Sequence, residues 1–206
     1  YILASGTPAI FKIGPLDFLF GPKWKPVEEK FGILPMIITS LSATFASVAI
    51  GSFVGILTAV FLTELAPRWI SRIVKPCVEL LAGIPSVVYG YFGMTIIVPA
   101  IARLTGGPGF SLLAVVIILS VMILPTIISL SQSALRAVPQ SYKEGSLALG
   151  ASHIQTIFRT ILPAARSGIL ASVMLGIGRA VGETMAVIMV AGNIPQIPTS
   201  LMDPVR

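Results

Sequence analysis

The stretch SYKEGSLALGASHIQTIFRTILPAARSG, residues 141–168, decides how this chain is read. Within it Leu147, Ala151, Ile154, Phe158 and Ile161 recur at spacings of four, three, four and three, which marks one face of a helix. Ser146, Gly150, His153, Gln155, Thr156 and Arg159 fall on other faces. Gly150 predicts a break between two short helical pieces, and Pro163 predicts the boundary with the helix that follows. A short amphipathic pair of this kind either lies on a bilayer surface or docks a soluble partner. Periodicity alone leaves both readings open.

What surrounds the stretch is almost free of charge. No Asp, Glu, Lys or Arg occurs in 31–63, 80–102, 104–135 or 184–202. A membrane helix needs about 20 predominantly apolar residues, so each run qualifies on length. Hydrophobic residues make up 55% of the chain and charged ones only 11%. A soluble domain carries roughly a quarter charged residues, so the expectation is an all-α integral membrane protein. Four spans are predicted: within Gly32–Leu65, then Val78–Ile101, Phe110–Leu135 and Ser167–Ala191. A basic loop at 66–76 with Trp69 as an interfacial anchor joins the first two. GSFVG (51–55) has the spacing that lets two helices approach closely. Gly83, Pro85, Gly90, Gly93 and Pro99 punctuate the second span, which suits a segment facing protein or a pathway. Pro85 and Ser86, in the GIPS turn, are candidates for pathway or packing roles.

The leader 1–30 reads as an extracytoplasmic or interfacial segment and 31–206 as one transmembrane domain. The tail after Ala191 is expected to leave the membrane. The chain starts at Tyr1, without a signal-peptide n-region, so a missing N-terminal segment is expected. The net charge of +6 is scattered over separate loops, which argues against nucleic acid. Cys77 and His153 are each the single residue of their type, so neither a disulfide framework nor a metal cluster is expected. No G-x-x-x-x-G-K-[ST] is present, so the chain has no P-loop of its own for ATP. Loops 66–79 and 136–166 carry seven Lys/Arg, against six in the leader, the 103–109 turn and the tail. That difference leans towards a cytoplasmic position for the first two.

LGIGRAVGETMAVIM (175–189) places Arg179 and Glu183 inside an apolar span. Arg179 is about twelve residues, or roughly 18 Å, into the predicted helix, near the middle of a hydrocarbon core about 30 Å thick. A charge there costs about 2.5–3.5 kcal/mol on insertion scales and usually marks a pathway. Glu183 is expected one turn further on the same face. Arg before Glu is the less favourable order for a helical ion pair, so local stability does not explain the arrangement. Gly178 and Gly182 would let a neighbouring helix or the pathway come close. Guanidinium matches phosphate geometry bidentately, and Glu183 is either its counter-ion or an acceptor for a proton on the substrate.

Glu144-Gly145-Ser146, Gly150 and Leu162-Pro163 stand at the spacings of the EAA loop, and the chain resembles the MetI-like permeases of ABC importers. Gly145 and Ser146 stand where Ala is usual in that loop, and Thr160 stands where Ile is usual. LAGIPSVVYGYFG (81–93), ILPTIISLSQSALRAVP (123–139), GIGRAVGETMAVIMVAGN (176–193) and PQIPTSLMDPVR (195–206) extend the resemblance to the phosphate branch, PstC-type permeases. The resemblance implies a non-enzymatic transport subunit in a bacterial or archaeal cytoplasmic (inner) membrane, and a piece of a six-span protein. It makes 139–166 a cytoplasmic coupling loop, with Glu144, Gly145, Ser146, Ala148 and Gly150 towards an ATPase. It also implies a second, PstA-like permease subunit, two PstB-like ATPase subunits that use the ATP, and a PstS-like extracytoplasmic phosphate-binding protein. Permeases for sulfate or molybdate share the loop and are the alternative; a membrane-embedded enzyme and a passive channel are more distant ones.

Overall fold

The computed structural model describes residues 14–25, 27 and 30–205, together with Thr7 and Phe11. Much of the predicted interfacial leader, residues 1–6, 8–10, 12, 13, 26, 28 and 29, lies outside the described residues, as does Arg206. The described part of the leader is more structured than its Pro- and Lys-rich sequence suggests. Pro15–Phe20 is a short helix, and Trp24–Lys25 pairs antiparallel with Lys30–Phe31. The Trp24 and Phe31 rings meet edge to face at 5.6 Å.

Among the described residues, three helices are long and apolar enough to cross a bilayer: Leu34–Leu65, Ser86–Thr105 and Leu112–Arg136. At about 1.5 Å per residue, their 32, 20 and 25 residues each reach or exceed the hydrocarbon thickness. The first and third match the predicted spans closely. The second begins at Ser86 instead of Val78, because the residues before it belong to a separate helix, Arg68–Ala82, where a loop was expected. Pro67 stands at the N-cap of that helix and Gly83 at its C-cap. The charge-free run 80–102 therefore straddles two elements.

The fourth expected span, Ser167–Ala191, is not one helix. Arg166–Val181 stops at Gly182, Glu183 and Thr184 are non-helical, and Met185–Ala191 starts a new helix. Glycine is about 1 kcal/mol worse than alanine inside a helix, and Gly178 and Gly182 fall in the same last turn. On the other side, His153–Ala164 and Arg166–Val181 pass the span test together but bend by 68°. Pro163 accounts for a bend there, since it withholds an N–H and crowds the preceding turn.

A proline also explains each widened turn. The helix loosens to π geometry at Phe61–Leu65, Gly93–Ile97 and Ile157–Ile161, and Pro67, Pro99 and Pro163 follow two residues after each. In each case the residue just before the proline donates its N–H to the carbonyl five positions back: Ala66 to Phe61, Val98 to Gly93, Leu162 to Ile157. The wider turn moves backbone out of the way of the pyrrolidine ring without leaving a donor orphaned.

The chain divides into two compact units. One comprises the residues up to Phe45, Ser86–Ile118 and everything from Thr184 on. Here the glycines of the second span serve close packing: a Cβ on Gly90 would strike Ala186 and Met189, and one on Gly93 would strike Val190 and Ile118. Tyr89 is buried in this unit and Tyr91 is exposed. The tail folds back onto the start of the third span. Leu112 and Leu113 donate their N–H groups to the carbonyls of Asp203 and Leu201 at 2.9 and 2.8 Å, and the Ser111 hydroxyl accepts from the Ala114 N–H. These satisfy donors that a helix start leaves without partners. Val205 is fully buried and bridges to Gly192.

The other unit comprises Ala46–Pro85 and Leu119–Glu183. Gly51 and Gly55 face Ile123 and Ile127 of the third span, so the GSFVG spacing is a real close approach. Ser131 and Ser172, both fully buried, share a hydrogen bond of 2.9 Å between the third span and Arg166–Val181. A buried hydroxyl pair of this kind is worth roughly 1 kcal/mol between membrane helices.

Candidate functional site

The loop that opened the sequence reading is built as two short helices. Gln140–Ala148 follows Pro139, and Gly150, at φ 84°, turns the chain where an L-residue would be strained. Ser152 then caps His153–Thr156 reciprocally: its hydroxyl accepts from the Gln155 N–H, and the Gln155 side chain accepts from the Ser152 N–H. The apolar face is not the predicted one. Ile161 is buried, but Leu147, Ile154 and Phe158 are about half exposed. Gly150 breaks the helical phase and the π turn at Ile157–Ile161 adds a residue to it, so Thr156, Ile157 and Ile161 turn inward instead. Ile157 and Ile161 pack with Ala59, Val60, Leu135, Ala165 and Ile169.

Glu144, Gly145, Ala148 and Gly150 are exposed, and a Cβ on Gly145 or Gly150 would meet nothing within 4 Å. Leu149, at 91% exposure, and Phe158 complete an outward surface with no partner in this unit. Ser146 is different. Half-buried, it shares a hydrogen bond of 3.0 Å with Thr156 and accepts one of 3.4 Å from Thr160. The two hydroxyl residues that depart from the loop's usual Ala and Ile are thus bonded to each other. Together they fasten the first short helix onto the second.

The loop is tied to the end of the first span by residues that sequence reasoning did not connect. Lys143 Nζ lies 2.7 Å from Glu64 Oε2, and the His153 Nε2–H donates to the Glu64 carbonyl at 3.1 Å. Of the two carboxylates flanking the basic segment 66–76, Glu79 pairs with Lys75 at 3.8 Å, whereas Glu64 pairs with the distant Lys143. The available signal was Glu64 itself, an acid immediately after a 33-residue charge-free run (31–63), which needs a cation from elsewhere.

Arg179 occupies the last turn of Arg166–Val181, half-buried, and its Nη1 donates to Thr126 Oγ1 at 3.3 Å. The negative end of the helix dipole favours a cation there by about 0.3–1 kcal/mol. Thr126 follows Pro125 in the third span and was not singled out from sequence. Glu183 is not on Arg179's helical face: its N–H reaches back to the Ala180 carbonyl at 3.4 Å, and it lies in the break after Gly182. Gly178 is exposed, with nothing within 4 Å of an added Cβ, and Gly182 meets only its own helix backbone. The close approaches of this helix are made by Gly168 against Ala134 and Gly176 against Ile127. Pro85 ends the connection after Arg68–Ala82, and Ser86 is the first residue of the second span.

Long apolar helices, a polar two-helix loop that presents an open surface, and an arginine in the last turn before a helix break describe an integral membrane protein. Residues 51–204 match the family described as binding-protein-dependent transport system inner membrane component, and the chain belongs to that family. It is 47% identical over 93% of its length to the probable ABC transporter permease protein YqgH of Bacillus subtilis. It is 39% identical over 98% of its length to the phosphate transport system permease protein PstC of Mesorhizobium japonicum. The chain spans 63% of the first relative's length and 68% of the second's. Among solved structures it resembles the MetNI methionine ABC transporter in inward-facing conformations, with TM-score 0.64 and 23% identity over 78% of this chain and 74% of that one. This likeness concerns the fold.

Proposed function

We propose that this chain is a pathway-forming permease subunit of an ATP-driven importer of inorganic phosphate in a bacterial or archaeal inner membrane. The observation that carries the reading is the outward face of the coupling loop. Glu144, Gly145, Ala148 and Gly150 are open to contact, flanked by exposed Leu147, Leu149, Ile154 and Phe158. A surface this apolar on a membrane protein's polar loop suits a soluble partner, here a separate ATPase that hydrolyses the ATP. In this arrangement 139–166 is cytoplasmic, and Ser146 holds the loop's shape instead of touching the ATPase. A second permease subunit, two ATPase subunits and an extracytoplasmic phosphate-binding protein complete the importer. The names of the similar PstC proteins support phosphate as the substrate.

Arg179 supplies the pathway's anion contact. Its helix stops within one turn, and irregular backbone at membrane depth is tolerated where it lines a wet cavity or is buried in protein. Thr126 orients the guanidinium. Glu183, in the break, accepts a hydrogen bond from the proton that phosphate keeps near neutral pH, which sulfate lacks, and its negative charge repels the fully ionised sulfate.

The test is ATP-driven uptake of labelled phosphate by reconstituted vesicles, competed with sulfate and molybdate. Arg179→Gln is expected to abolish uptake while the subunits still assemble; loss of assembly would make the arginine a structural residue. Glu183→Gln is expected to narrow the preference for phosphate over sulfate and to change its pH dependence. Unchanged ratios at every pH would remove Glu183 from substrate selection.

A further inference from the structure

The Arg68–Ala82 helix has three faces where a surface helix needs two. Ile70, Val74 and Val78 turn inward and pack against Leu62, Ala66, Leu124 and Ile128. Roughly a third of a turn away, by helical spacing, Arg68, Arg72, Lys75 and Glu79 form a charged stripe, with all four exposed. The remaining face carries Trp69, Ile73, Cys77 and Leu80, with Trp69 66%, Ile73 59% and Leu80 73% exposed. A soluble protein would hide that third stripe or replace it with polar residues.

Chain connectivity says what lies beside it. Two residues separate the end of the first span at Leu65 from the start of the helix, and three separate its end from the start of the second span at Ser86. Neither connection is long enough to carry the helix away from the bilayer surface. An apolar stripe next to a stripe with three basic residues is also the pattern of a helix lying in an interface. We infer that Arg68–Ala82 lies in the headgroup region of an anionic bilayer. Trp69, Ile73 and Leu80 sit at the acyl boundary, and Arg68, Arg72 and Lys75 contact lipid phosphates.

The placement has a consequence for the coupling loop. The Ser71 hydroxyl donates to the Leu62 carbonyl at 2.9 Å, and Val78 packs on Leu62. Two residues further, Glu64 holds Lys143 and His153. The π turn Phe61–Leu65 is therefore gripped by the lipid-facing helix on one side and by the loop on the other. The inference rests on the membrane-spanning fold and not on phosphate as substrate.

Cys77 is the only cysteine of the chain, so a nitroxide attached to it reports the apolar stripe directly. The experiment uses the protein in its membrane assembly, with cysteines of any accompanying subunits replaced, reconstituted in phosphatidylcholine vesicles with or without phosphatidylglycerol. Accessibility to oxygen and to a water-soluble nickel chelate gives the depth. The expected result is a label within about 5–10 Å of the headgroup–acyl boundary, with less chelate access when phosphatidylglycerol is present. Each basic residue is expected to contribute about fivefold to that lipid preference. Arg68→Gln with Arg72→Gln should erase most of it, and raising salt on the unsubstituted protein should do the same without any substitution. A label fully open to the chelate in both lipids would overturn the inference. So would a label shielded from both oxygen and chelate, which would mean that protein covers the stripe. Neither result depends on transport, so failure here leaves the importer reading intact, and failure of uptake leaves this one intact.

Discussion

Replacing Lys143 by Met tests the tie between the first span and the coupling loop. The ammonium sits 2.7 Å from a Glu64 carboxylate whose side chain is only 9% exposed, while Lys143 itself is 29% exposed. A fully exposed pair would be worth under about 1 kcal/mol, and breaking a fully buried one costs about 3–5 kcal/mol. This pair lies between, and a charge-assisted hydrogen bond contributes about 1.5–3 kcal/mol, so Lys143→Met should cost about 2 kcal/mol. Glu64→Gln should cost less, about 1 kcal/mol: the amide oxygen still accepts from Lys143, and the ammonium can turn to water. The double variant should cost less than the sum, because neither substitution then strands a charge. Thermal melting of the detergent-purified protein and its three variants closes the cycle. Additivity within about 0.3 kcal/mol, or a larger loss for Glu64→Gln than for Lys143→Met, would refute the reasoning. Either result would mean that Glu64 has water or another cation to turn to.

Two further expectations concern packing and the tail. Gly51→Ala should destabilise by about 1–3 kcal/mol, because the new Cβ would lie 2.6 Å from Ile123 Cδ1 and 2.7 Å from its Cγ1; Ile123→Ala, which removes both atoms, should recover part of the loss in the double variant, read by thermal melting. Asp203 accepts from the Thr199 hydroxyl and from the Thr199 and Ser200 N–H groups at 2.7–2.9 Å, bonds that hold its carboxyl below the usual 3.8. A lowered value means the contribution is complete above pH 3.8 and is lost only as pH falls through the folded value. Hydrogen exchange of residues 199–205, corrected for intrinsic rates, should therefore stay flat from neutral pH to about 4 and rise below it. Asp203→Ala should raise it near neutral pH and remove the further rise at low pH.

Much of the fold was legible in one dimension. Charge-free runs located the first and third spans to within a few residues, because a bilayer excludes charge over a fixed length whatever the helices pack against. Gly150 and Pro163 marked the break within the loop and its end, because a left-handed turn and a proline boundary are local chemistry; its identity came from the resemblance to a known loop. Where two elements share one apolar run the reading failed. Gly83 and Pro85 punctuate 80–102, but nothing in the run reports that Ala82 ends a surface helix while Ser86 begins a span. The apolar stripe of the loop was misphased for a related reason: one extra residue in a π turn rotates everything after it, and only the proline two residues later hints at it.

The pairings were decided by tertiary structure alone. Glu64 chose Lys143, 79 residues away, over three nearer cations on the next helix, because Arg68, Arg72 and Lys75 lie on an exposed stripe turned away from the face that packs on Leu62. Ser146 and Thr160, two separate departures from a loop pattern, became one hydrogen bond when the two short helices closed on each other. Sequence by itself determined that this chain lives in a bilayer and where its polar loop falls, since length, charge and local turn chemistry are one-dimensional; its place among transport permeases came from the resemblance of that loop to a known family. Which charges meet depended on the packing of distant segments, and no local pattern encodes that.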